Sequence, residues 1–154
     1  MASERDIVYD VSYMLRIVLD TSVLVAGLRS RNGASNALLR RIALGEVLLL
    51  CTPPLFLEYE DVLKRPEQIA VHGLRSVQVD DLMAELAAII LPVDVHFQWR
   101  PQVADPNDEM VLEAAINGMA DALVTNNLRD FAGIADRFTI PVLSPAQMLR
   151  KVRP

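Results

Sequence analysis

Carboxylates recur in this chain where an apolar run ends or a helix begins, and acids in such places can do work that hydrocarbon cannot. The first lies in RIVLDTSVLVAGL, Arg16 to Leu28, where Asp20 separates two apolar runs. An ionised Asp left alone in an apolar interior costs several kcal/mol or more, so Asp20 should be paired, hydrogen-bonded or bound to a cation. Its ordinary alternative is capping, since Asp20, Thr21 and Ser22 are all good N-caps for a helix starting near Val23.

Three further stretches repeat the pattern. In PPLFLEYEDVLKRP, residues Leu55, Phe56, Tyr59, Val62 and Leu63 form one helical apolar face with Asp61 opposite, and Glu58 and Glu60 flank it without geometry separating them. In DPNDEMVLEAA, Asp105 before Pro106 reads as an N-cap, and Asp108 as a third-position acid favourable to the helix dipole. Asp108 also falls in line with Leu112, Ala115 and Met119, which turns it inward. In ALVTNNLRDF an apolar strand is followed by Thr125, Asn126, Asn127 and Asp130, ordinarily a turn and a helix start.

Each ordinary reading is comfortable alone. Together, however, these groups gather at one edge of an α/β unit, where like charges repel unless a divalent cation holds them. Oxygen-only ligands select Mg²⁺ or Mn²⁺ over zinc, and His72 and His96 fit no zinc-binding spacing. An ion so held lowers the pKa of bound water and stabilises charge on a scissile phosphate, which suits phosphodiester hydrolysis.

The elements that must position these groups alternate. Strands are expected at Ile17 to Leu19, Val47 to Cys51, Val93 to Val95, Ala122 to Thr125 and Ile140 to Leu143. Helices are expected at Ser35 to Leu44, Pro54 to Lys64, Asp80 to Ile90, Asn107 to Met119 and Pro145 to Lys151. The loops between them are Arg29 to Ala34, Glu67 to Gln78 and Phe97 to Pro106. This alternation implies a parallel sheet covered on both faces, with a site beyond the carboxyl ends of its strands. Residues 1 to 13 show weak periodicity and read as an extension without assigned function, leaving 14 to 154 as one domain.

Composition narrows the chemistry. With 154 residues, 52% of them hydrophobic and 23% charged, the chain can bury a substantial core. Its single cysteine, Cys51, excludes an internal disulfide and, inside VLLLC, reads as a buried inert thiol. No apolar run is long enough to span a bilayer and the start lacks signal-peptide character, so a soluble cytoplasmic protein is expected. A net charge of -5 and a pI near 5.0 argue against nonspecific polyanion binding. A local basic rim of Arg29, Arg31, Arg40, Arg41, Lys64, Arg65 and Arg75 nevertheless leaves room for nucleic acid.

LDTSVLVAG, PPLFLEYEDVLKRP, DPNDEMVLEAA and ADALVTNNLRDF, in that order across about residues 15 to 150, closely resemble PIN-domain proteins. Within that family the resemblance is to toxins of toxin–antitoxin systems similar to VapC. It implies a three-layer α/β/α fold with a central parallel sheet and Mg²⁺- or Mn²⁺-dependent endoribonuclease activity. It also implies a protein antitoxin and a homodimer. Carried across residue by residue, the family's first three acids fall on Asp20, Glu58 rather than Glu60, and Asp108 rather than Asp105. Thr21 or Ser22, and Thr125, match hydroxyl positions beside the metal. At the fourth position many members carry Asp where this chain has Asn127, while the form T-x-N-x-x-D-F, which TNNLRDF fits, points to Asp130.

Two competing readings remain. A noncatalytic PIN-like binding or assembly module is motivated by Asn127 and the acidic net charge, because folds outlive their chemistry. An aspartyl-phosphate phosphatase would use Asp20 as nucleophile, but the second Asp of the haloacid-dehalogenase pattern is replaced by Ser22.

Overall fold

A computed structural model describes residues 14–96 and 105–152. Five parallel strands, β1 (Arg16–Leu19), β2 (Leu48–Cys51), β3 (Leu91–Pro92), β4 (Ala122–Val124) and β5 (Val142–Leu143), form one sheet in the order β3-β2-β1-β4-β5. Ile17, Val18 and Leu19 in β1, Leu49 to Cys51 in β2 and all of β4 are buried, as expected where helices cover both faces of a parallel sheet. The result is a three-layer α/β/α fold.

The strand order puts the two halves of the chain on opposite sides of β1. The chain runs from β1 to β2 and β3 on one side, then crosses back to β4 and β5 on the other. Such a reversal leaves a crevice outside the carboxyl ends of the two central strands, here β1 and β4. Asp20 and Thr125 are the first residues past those ends.

Helix α1 (Thr21–Arg29) follows β1 at once, and α2 (Ala34–Ala43) packs against it before β2. Helix α3 (Pro53–Leu63) starts on Thr52, whose side chain accepts from the Leu55 N–H. The expected loop at Glu67 to Gln78 is largely helical instead. Pro66 ends α3's path but also opens α4 (Pro66–His72), because its fixed φ suits a first helical residue. Gly73, at φ 74°, closes α4 in the left-handed region that glycine adopts without a Cβ penalty. Helix α5 (Ser76–Ile89) then begins four residues earlier than Asp80.

Two further departures concern the far side of the sheet. The strand expected at Val93 to Val95 lies at Leu91–Pro92, tolerable because β3 is an edge strand, although the Val93 N–H still reaches the Cys51 carbonyl. Helix α6 (Pro106–Asn117) stops short of Met119, which is 80% exposed at φ 49°, so the inward line ends at Ala115. Gly118 is needed at that turn: a Cβ there would lie 2.9 Å from both the Ala114 carbonyl and Leu50 Cδ1. A 3₁₀ turn at Leu128–Phe131, helix α7 (Ile134–Phe138) and α8 (Pro145–Lys151) complete the order. The extension at 1 to 13 and most of the Phe97 to Pro106 loop lie outside the described residues. Among the described residues, no helix is long and apolar enough to cross a membrane.

Candidate active site

Asp20 is buried, and its backbone occupies the N-cap position of α1, but its side chain makes no capping bond. The carboxylate instead faces two hydroxyls: Ser22 Oγ and Thr125 Oγ1 each donate to Oδ2, both at 2.7 Å. Thr125 Oγ1 in turn accepts from the Asn127 N–H at 2.9 Å, and Ser22 Oγ accepts from the Asn126 N–H at 3.2 Å. The two chain ends that meet at the crevice are thus laced together through one oxygen of Asp20. Hydrogen bonds to an ionised acceptor are among the stronger ones. Among the described residues, Oδ1 accepts none.

A cavity of about 520 Å³ opens beside Asp20. Glu58, Asp105 and Asp108 line it from α3 and the start of α6, and Thr21, Ser22, Asn126 and Asn127 line it from the crevice. Arg29, Arg65 and Gln68 form part of its wall. Glu60, in contrast, lies outside the lining, 3.7 Å from Lys64 on the helix surface. Among the described residues, Glu58 Oε1 has only a distant counter-charge, Arg65 Nη2 at 4.0 Å, because that guanidinium sits 2.8 Å from Asp61. Burial raises the Glu58 pKa, and Arg65 opposes the rise.

Asp108 is the most perturbed acid of the cavity. Its pKa is raised to about 7, first by burial and then by the like charges of Asp20, Asp105, Asp130 and Glu109. Asp105 accepts from the Asn107 N–H at 2.8 Å, so its capping role holds while it also borders the cavity. Asp130 is exposed and does not line the cavity; it reaches the site only through its charge on Asp108. Asn127 borders the cavity and donates its backbone N–H to the Thr125 hydroxyl.

The basic rim is mostly engaged elsewhere: Arg41 pairs with Glu46, and Lys64 with Asp80 and Glu60. Arg29 and Arg65 are the members that reach the cavity. Cys51 is buried with its thiol pKa pushed up to about 12 by burial, which leaves it inert. His72 is structural, its Nδ1 accepting from the Leu74 N–H and its Nε2 meeting the Leu63 carbonyl. Pattern reading passed over Asn126, which donates from Nδ2 to the Ser22 carbonyl and to Ser35 Oγ, both at 3.3 Å, and so ties β4's end to α1 and α2. In the sequence pattern Asp105 reads as a cap and is set aside in favour of Asp108, and nothing in local spacing singles out Gln68.

The PIN domain family matches residues 16–129, three quarters of the chain. The chain belongs to the PIN-domain family. Its fold is also that of a chain in the structure of FitAB bound to an IR36 DNA fragment, with a TM-score of 0.53 and 21% identity over 84% of this chain and 94% of that one. No curated protein matches the sequence. PIN domains are generally nucleases and typically use divalent metal ions.

Proposed function

We propose that this PIN domain is a Mg²⁺- or Mn²⁺-dependent endoribonuclease acting in the cytoplasm as the toxin of a type II toxin–antitoxin pair. The observation that carries the reading is that Asp20, Glu58 and Asp108, from three separate elements, border one cavity at the sheet's switch point. The donor set fits a hard divalent cation in type and charge. It offers oxygens only, and the pKa of Asp108 is raised by burial and then by the neighbouring carboxylates, a crowding that a cation would relieve. Among the described residues, no three acids, histidines or cysteines already stand close enough to grip an ion, so their side chains would turn toward it on binding.

When bound, such a cation supplies positive charge at the scissile phosphate and acidifies water for in-line attack. The chain's residues do the rest. Ser22 and Thr125 hold Oδ2 of Asp20 and leave Oδ1 for the ion. Glu58 from α3 and Asp108 from α6 would complete the set that holds it, Asp108 giving up its proton to do so, with Asp130 adding charge and Asn127 steadying Thr125. Arg29 and Arg65 attract the RNA backbone at the rim. A protein antitoxin belongs to this reading, supported by the shared fold with a chain of FitAB, and the sequence resemblance adds a homodimer. Purified parent should cleave RNA in Mn²⁺ and Asp20→Asn should not; equal rates would refute the assignment.

A noncatalytic binding module is the second reading. It is favoured by Asn127 at the fourth position and by the separation of the acids in the described structure. A parent that binds no Mn²⁺ at millimolar concentration would favour it.

A further inference from the structure

The phenol of Tyr59 is the one polar group on the buried face of α3 that the proposed chemistry leaves unused. Leu55, Tyr59 and Leu63 recur along that face and are all fully buried. A phenylalanine would fill the same space. A buried hydroxyl is unfavourable unless it is hydrogen-bonded, so its presence calls for a partner.

That partner is the Leu19 carbonyl, which accepts from Tyr59 Oη at 2.5 Å. Leu19 is the last residue of β1, and its carbonyl belongs to the same planar peptide group as the Asp20 N–H. The Asp20 N–H donates to the Val124 carbonyl at 2.8 Å. Both polar ends of the peptide that carries Asp20 are therefore held, one by β4 and the other by α3. The last registered pair between β1 and β2 is Ile17 with Leu49, so the β2 ladder has already ended where the phenol takes over. The Cys51 thiol, at the end of β2, donates to the Thr52 carbonyl at 3.4 Å and leaves the phenol to Leu19.

Glu58 is the residue before Tyr59. With the ring buried and its hydroxyl fixed on Leu19, the rotation of α3 about its own axis is set, and with it the angle from which Glu58 faces the cavity. We propose that Tyr59 is a positioning residue that fixes the backbone of Glu58 relative to that of Asp20 by clamping α3 to the Leu19–Asp20 peptide. Asp108 stands outside this clamp, on α6. The proposal rests on the metal-dependent reading of the cavity.

Calorimetric titration of the full-length chain with Mn²⁺ tests it, using Tyr59→Phe and, as a core control remote from the clamp, Leu38→Ala on α2. Tyr59→Phe should bind Mn²⁺ about tenfold more weakly, at the low end of what lost outer-shell contacts cost a metal site. Leu38→Ala, though less stable than the parent, should keep the parent's affinity. Equal affinity of Tyr59→Phe and parent overturns the clamp alone, and so does equal weakening in Leu38→Ala. A parent that binds no Mn²⁺ overturns the metal reading and the clamp with it. Should Tyr59→Phe not fold, 4-aminophenylalanine at position 59 keeps a donor at the ring's end. Parent-like affinity there supports the clamp, and a tenfold loss in a folded protein overturns it.

Discussion

Asp20 and Asp108 border the same cavity and are both buried, yet the fold treats them in opposite ways. Asp20 is satisfied: two hydroxyls donate to one of its oxygens, and its peptide is held at both ends. Asp108 is crowded by like charges and burial until its pKa reaches about 7. One side of the cavity is organised in advance, and the other is held in electrostatic tension. A fold gains no stability from a tension of this kind, and a divalent cation is what would relieve it.

The sharpest break of this contrast is Asp20→Asn. Asparagine keeps an acceptor for Ser22 and Thr125 but removes the charge, so melting should change little while RNA cleavage in Mn²⁺ falls by about 10²–10³-fold. A metal's charge stabilisation is worth several kcal/mol, at about 1.36 kcal/mol per tenfold.

Asp108→Asn should also lose cleavage by about 10²-fold, but with the opposite signature in stability. A carboxyl whose folded pKa exceeds its unfolded value holds its proton more tightly when folded, so its contribution falls as pH rises from about 4 to 7 and is level above. The variant should therefore melt above the parent at about pH 8, and the gap should close towards about pH 4, as melting curves across pH will read.

Thr125→Val sharpens the organised side. It removes one donor to Oδ2 of Asp20 at nearly constant volume, so Mn²⁺ affinity should drop about tenfold by calorimetry and Tm by roughly 5 °C. The smallest effect belongs to Glu60→Gln. Among the described residues its carboxylate pairs only with Lys64 at the surface, so the change should leave cleavage within about twofold and stability within about 1 kcal/mol. A large loss of cleavage there would transfer the role given to Glu58.

What was legible in the sequence follows from what is local. Apolar runs located β1, β2 and β4, and proline and glycine marked most helix ends. Pro66 misled because one residue can stop a helix and start the next, and Pro92 because it sits inside a two-residue edge strand. The inward line of Asp108, Leu112 and Ala115 was readable from helical period, whereas Glu109 and Glu113, also buried and each with an interaction of its own, were not. Capping was a sound local expectation for both Asp20 and Asp105, and only Asp105 follows it. The bonds that divert Asp20 come partly from Thr125, 105 residues away, and Tyr59 reaches Leu19 across 40. No periodicity records contacts of that range.

The most direct measurement is a calorimetric Mn²⁺ titration of the parent at about pH 6.5 in buffers of different ionisation enthalpy, which separates binding from proton release. The account predicts saturable binding at millimolar Mn²⁺ or below, with a proton released from Asp108 as the ion enters and no release in Asp108→Asn. No binding, or binding without a proton released, would contradict it.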